Sequence, residues 1–203
     1  MKKVLFFIAA TILLAACTET KEVKAEKLAK QTLNGFIVNM DTYEPIETRV
    51  DSAFAPLTSL EVFEYIAQLP QQLKKYESWQ HKVDNAKTTL RAYANPRYPY
   101  ERYSYNDAKE NYDKYSKYMA EFEEKMKDFN NDLEEKSKEE PVFCGYLVRH
   151  KYRFVSKEGE KTIGQHLFFM NEDLTKVESM IDMNDEYIKS MMEEADMINF
   201  GNK

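Results

Sequence analysis

The chain has 203 residues, of which 43% are hydrophobic and 32% charged, with a formal charge of -6 at neutral pH. That length fits one domain, and an aromatic share of 13% supplies a core that a disordered chain lacks. Five glycines and six prolines favour long helices over many tight turns, and the acidic balance excludes a basic nucleic-acid footprint, so no nucleic-acid partner is expected.

Lys2 and Lys3 precede an apolar run from Val4 to Ala16. The run is shorter than the roughly 20 residues a membrane-spanning helix needs. It has the charged and apolar regions of a secretory signal. It ends Leu14-Ala15-Ala16-Cys17. Small residues directly before a cysteine resemble the lipobox of bacterial lipoproteins. The resemblance implies cleavage between Ala16 and Cys17, lipidation of the Cys17 sulfur and acylation of the freed amine, a palmitate-type modification. More than one acyl chain gives stable membrane attachment. Thr18, in place of Asp, leans the expected location toward the outer membrane. The expected layout is a signal peptide over 1–16, a lipidated polar tether over 17–23 and a single α+β domain over 24–203. With Cys17 lipidated, Cys144 is the remaining thiol and no intramolecular disulfide is available. A lone strand cysteine reads as a small buried hydrophobe.

Ala25, Leu28, Ala29 and Leu33 have helical spacing, and Asn34-Gly35 is a stop signal. Ile46, Thr48 and Val50 alternate with Glu47, Arg49 and Asp51, which predicts a short strand. Thr58-Ser59-Leu60-Glu61 carries a capping signature for a helix that Pro70 should kink or split after Leu69. Farther on, Leu73, Tyr76, Trp79, Val83, Ala86, Leu90 and Tyr93 step by three and four. Asn95-Pro96 stops this helix, and Ser104 with Asp107 signals the next start.

From there Tyr105, Ala108, Tyr112, Tyr115, Met119, Phe122, Met126, Phe129 and Leu133 alternate steps of three and four, a coiled-coil-like heptad seam. The two matching faces predict an antiparallel helical hairpin over about 59–137, long enough to project. An intramolecular seam favours a monomer over a dimer. Cys144, Tyr146, Val148, His150, Tyr152 and Phe154 then define one strand face. Lys157-Glu158-Gly159-Glu160 is a hairpin turn, Ile163 to Met170 the return strand and Thr175 to Ile181 a third. A final helix carries Ile188, Met191, Met192, Ala195 and Ile198, closed by Gly201. The fold expected is α+β: a small antiparallel sheet of about four strands packed with N- and C-terminal helices, with the hairpin inserted after the first strand.

Two segments carry a family resemblance. Tyr43-Glu44-Pro45-Ile46-Glu47-Thr48-Arg49-Val50-Asp51-Ser52-Ala53-Phe54 is one. Gly145-Tyr146-Leu147-Val148-Arg149-His150-Lys151-Tyr152-Arg153, followed by Phe168-Phe169 and Asp173-Leu174-Thr175-Lys176-Val177, is the other. With the lipobox they resemble small uncharacterised lipoproteins of Bacteroides-type bacteria. The resemblance implies a Gram-negative envelope and carries no activity or catalytic residues.

Arg97, Tyr98, Tyr100, Arg102 and Tyr103, with Tyr105, cluster where the two helices meet. Tyr and Arg are enriched in binding hot spots, and aromatic faces stack on sugars, so this tip is the candidate recognition site. His150 and His166 fall on adjacent strands and invite a metal reading with Cys144, but their spacing is no known ligand motif and buried, hydrogen-bonded histidines are the simpler expectation. His81 sits among charged neighbours. Arg149, Lys151, Arg153, Lys157 and Lys161 form a basic strip that could meet an acidic glycan or lipid headgroup, or be a solvated face. No converging carboxylate pair, glycine loop, nucleophile elbow or HExxH is present, so no catalytic residue, metal or cofactor is assigned. The function expected is a non-catalytic, membrane-anchored envelope module that displays a helical hairpin to an envelope protein or glycan. The alternative is a glycan or small-molecule binder, or an enzyme, using a pocket between the sheet and the helices.

Overall fold

The structure, a computed structural model, describes residues 19–190. The expected signal peptide, Cys17 and the last helix beyond Ser190, with Met191, Met192, Ala195, Ile198 and Gly201, lie outside the described residues. One compact unit combines the residues up to Phe54 with Phe143–Asn184, and the other takes Ala55–Val142 and the segment from Asp185 onward.

In the first unit, helix α1 spans Lys21–Leu33. It takes in Lys21 to Val23, whose polarity suggested a tether. Thr20 caps it, its Oγ1 accepting from the Val23 N–H at 3.4 Å. A 3-10 turn at Met40–Thr42 leads into β1, Glu44–Ala55. Strands β2 (Val142–Val155), β3 (Lys161–Met170) and β4 (Val177–Asp182) follow, and the sheet order is β1-β2-β3-β4. The β2–β3 register pairs His150 with His166, and His166 pairs in turn with Asp182 of β4. Glu44 meets Arg153, Thr48 meets His150 and Phe54 meets Phe143, so β1 also runs antiparallel to β2. The fold is thus α+β with a four-stranded antiparallel sheet.

Alternation along the strands explains which face is covered. Tyr146, Val148, His150 and Tyr152 of β2 share one face with Phe168 and Met170 of β3. Ala25, Ala29 and Leu33 of α1, joined by Ile37 and Tyr43, pack on that face, and all are buried. Each large side chain there contributes roughly 1.5–3 kcal/mol by leaving water. Small residues at 25 and 29 let the helix sit close. A glycine at 164 is needed for a different reason: a Cβ there would lie 2.4 Å from Cζ of Tyr152, whose ring occupies the space. Gly159 takes φ +84° in the β2–β3 turn, the left-handed geometry the turn signal predicts. Strand β1 outruns its expected end at Asp51, and Ala53 is buried on it.

In the second unit, α2 spans Leu60–Ala92 and α3 spans Pro99–Lys136. At 1.5 Å per residue they are about 50 and 57 Å long. Ser59 caps α2 through the Val62 N–H. The predicted split at Pro70 does not occur: the helix runs through it, with Leu69 and Pro70 both buried. Packing there offsets the one backbone hydrogen bond a proline forfeits. Ring contacts join Tyr65 to Phe129, Tyr76 to Phe122 and Trp79 to Tyr118. One index rises as the other falls, so the helices are antiparallel and the seam closes within the chain. Every seam residue from Tyr105 to Leu133 is buried or half-buried. The first residues of the last helix, 186–190, belong with this unit, where Lys74 pairs with Asp185 at 3.4 Å and the Tyr187 hydroxyl donates to Glu77.

Candidate functional site

The tip of the hairpin is shorter than its sequence suggests. Helix α3 starts at Pro99, five residues before the Ser104 cap that was expected. Proline at the first helical position has its φ already set, and Glu101 supplies the rest. Its Oε2 accepts the backbone N–H groups of Arg97 at 2.6 Å and Tyr98 at 3.1 Å. Those donors hold the Glu101 carboxyl below the usual carboxylate range. A carboxylate at a helix N-terminus is favoured by the peptide dipoles as well.

This early start places Tyr98, Tyr100 and Tyr103 on the entry turns of α3 rather than in a loop. All three are largely exposed, at 59%, 62% and 75% of their surface. The rings of Tyr98 and Tyr100 stack with centroids 5.9 Å apart and planes within 8°. The Tyr100 hydroxyl donates to Glu101 Oε1 at 3.3 Å. Arg97 and Arg102 are exposed beside them, and neither enters an ion pair among the described residues. All five residues expected to recognise a partner are therefore brought together. Tyr105 is not part of this surface: it is half-buried at the start of the seam.

The second cluster lies inside the first unit. His150 has no exposed surface, yet both ring nitrogens are bonded. Tyr43 Oη lies 2.5 Å from Nε2, and Thr48 Oγ1 lies 2.9 Å from Nδ1. The Thr48 hydroxyl donates onward to Glu26 Oε2 of α1 at 3.3 Å. One tautomer satisfies the whole chain: Tyr43 donates to Nε2, Nδ1–H donates to Thr48, and Thr48 donates to Glu26. Across the sheet, Tyr152 Oη lies 3.1 Å from Nδ1 of His166. Burial, aided by the neighbouring His166, holds the His150 pKa down at about 4, so the ring is neutral. His166 is also held down by burial, against the pull of Asp182. Tyr152 is pushed up to about 12, by burial first and then by Asp182, and Tyr43 is raised further by burial and Glu26.

This network ties α1 and β1 to the sheet. Such a group has the chemistry of a structural lock: neutral imidazole, closed hydroxyls and no path to solvent at His150. Cys144 does not join it. Six residue steps along β2 separate it from His150, on the order of 20 Å. Among the described residues no three His, Cys, Asp or Glu side chains converge to hold a metal. His81 is exposed on α2.

The basic strip is divided by the structure. Arg153 pairs with Glu44 at 3.4 Å. Lys157 is exposed in the turn. Lys161 and Arg153 border a hollow of about 300 Å³ with Thr42, Glu44, Phe154 and Val155. Arg149 and Lys151 line a separate hollow of about 180 Å³, on the sheet face opposite α1, with Glu47, Arg49 and Gln165. The sequence strip did not include Arg49, which reaches this hollow from another strand about 100 residues away. Compared with family models, curated proteins and solved structures, the chain matches none.

Proposed function

We propose that this protein is a lipid-anchored envelope protein that recognises a partner through the tip of its helical hairpin, without catalysis. The observation that carries this reading is the exposure of Tyr98, Tyr100 and Tyr103 beside Arg97 and Arg102, which form no ion pair among the described residues. Exposed aromatics are costly to hydrate, and Tyr and Arg together supply both apolar area and directed hydrogen bonds at interfaces. The anchor is inferred from Leu14-Ala15-Ala16-Cys17. The partner is an envelope protein or glycan, and the location is the outer membrane.

Capture from detergent-solubilised envelopes tests the reading. Wild-type protein should retain a partner that the triple variant Tyr98→Ser, Tyr100→Ser, Tyr103→Ser loses while keeping its thermal stability. The same partners on both proteins would refute the tip as the site. One observation favours a second reading, a glycan or small-molecule binder. A hollow of about 430 Å³ on the hairpin flank has Trp79, Tyr118 and Phe122 on its walls with Gln68, Gln71 and Gln72. An aromatic floor edged by carboxamides suits a sugar. Trp79 fluorescence changing on addition of envelope oligosaccharides, unaffected by the tip variant, would move the function there.

A further inference from the structure

Strand β1 presents Thr48 to the covered face, where it bonds His150. Arg49 and Glu47 then fall on the other face, where they line one hollow with Arg149 and Lys151. Lys151 in turn pairs with Gln165 across β2–β3. Arg49 and Arg149 border the same small hollow, and like charges brought close on adjacent strands repel and destabilise a sheet. The chain carries 35 acidic and 29 basic residues, so partners for these cations are not scarce in its composition. Yet among the described residues Arg149 and Lys151 form no ion pair, and Arg49 reaches only its own strand neighbour Asp51, at 3.5 Å. The three cations line one hollow of about 180 Å³ with a single carboxylate, Glu47.

We propose that this hollow binds the phosphate group of a small phosphorylated ligand. Arg49 is already met by Asp51, so Arg149 and Lys151 are the cations of the hollow without an ion pair among the described residues; the tetrahedral oxygens of a phosphate can accept from both together with Gln165, where a monocarboxylate offers two oxygens in one plane. Arginine guanidiniums give paired, directed N–H donors to phosphate oxygens, and Lys151 adds a mobile point charge. The Gln165 amide contributes a donor beside it. Glu47 accepts from a hydroxyl on the organic part of the ligand, for which the hollow has room beyond a phosphate. The donors sit on three adjacent strands, so they are held in place before the ligand arrives. Binding removes the Arg49–Arg149 repulsion and therefore stabilises the folded sheet.

The phosphate can belong to a soluble metabolite or to a lipid headgroup, and the test separates them. The full chain in neutral detergent is titrated at fixed ionic strength with inorganic phosphate, glycerol phosphate and dihexanoyl phosphatidic acid, followed by phosphorus NMR and thermal unfolding. Saturable binding that raises the unfolding temperature is expected. Arg149→Gln should weaken it at least tenfold, about 1.4 kcal/mol. The same change should raise the unfolding temperature of the phosphate-free protein, because it removes the like charge. Lys151→Gln should weaken binding without that rise, and Lys109→Gln, at an exposed position on the hairpin, should leave phosphate binding unchanged. Tighter binding of dihexanoyl phosphatidic acid than of glycerol phosphate assigns a lipid headgroup; the reverse order assigns a soluble ligand. Failure of all three probes to saturate overturns the proposal, as does equal binding by wild type, Arg149→Gln and Lys151→Gln.

Discussion

His150 makes the stability of the sheet unit depend on pH in one direction. Folding holds its pKa at about 4 against an ordinary value of 6.5. The unfolded chain therefore binds the proton first as pH falls. The contribution of neutral His150 is complete above pH 6.5, declines through the interval and is lost below the folded value. At 1.36 kcal/mol per pKa unit the full loss is about 3 kcal/mol, a large part of a domain stability of 5–15 kcal/mol. Tyr43, Thr48 and His166 face the ring, and His166 is a second imidazole whose pKa burial also lowers. Replacing His150 by Gln retains a donor and an acceptor but removes the titration. Urea unfolding should be followed through the amide resonances of Val148 and Phe168, since Trp79 reports the hairpin instead. His150→Gln should be less stable at neutral pH, yet lose about 3 kcal/mol less than wild type between pH 7 and pH 4. Carboxylates titrate in both proteins and cancel in the comparison. Parallel stability curves for the two proteins would refute the buried, neutral lock.

Gly164→Ala puts a methyl group against the Tyr152 ring and should cost about 1–3 kcal/mol in the sheet unit, read by the same resonances. Phe129→Ala removes the ring stacked on Tyr65 at 3.6 Å and should cost roughly 2–3 kcal/mol in the hairpin, read by Trp79 fluorescence in urea. Because the seam's apolar positions are satisfied within the chain, light scattering in detergent should give one chain per particle once bound detergent is subtracted. Cys17→Ser should shift the protein from the membrane fraction to the soluble fraction, whereas Cys144→Ser should leave it there.

The seam was legible because heptad spacing is a local signal repeated over many turns, and both of its faces could be read separately. The β2–β3 pairing was legible for a related reason: a tight turn at Gly159 fixes the register, and that register brings His150 opposite His166. Local signals also misled. Ser104 and Asp107 look like a helix start, but Pro99 with Glu101 forms a better one, since proline needs no N–H there and the glutamate reaches two backbone donors. Pro70 reads as a kink or a split, and the helix runs through it unsplit with Leu69 and Pro70 buried. Contacts between distant segments left no trace in the pattern. Nothing in the spacing links Thr48 to His150, Tyr43 to the same ring, or Arg49 to Arg149. Each depends on β1 joining the sheet beside β2, with the whole hairpin intervening in sequence. The tip residues were found by composition alone, and the turn that displays them came from the structure.

Helix α1 begins at Lys21 behind its Thr20 cap, and its buried face is part of the core. Only Thr18 and Glu19 separate that cap from Cys17. Even fully extended, three residue steps cover about 10 Å. If Cys17 carries the lipid, the attachment is a short stem and the sheet unit is held against the bilayer surface. A pull on the anchor would pass directly into α1 and from there, through Glu26, Thr48 and His150, into the sheet. The N-terminal helix would then serve as a mechanical coupling between membrane and fold, with the buried histidine at its far end.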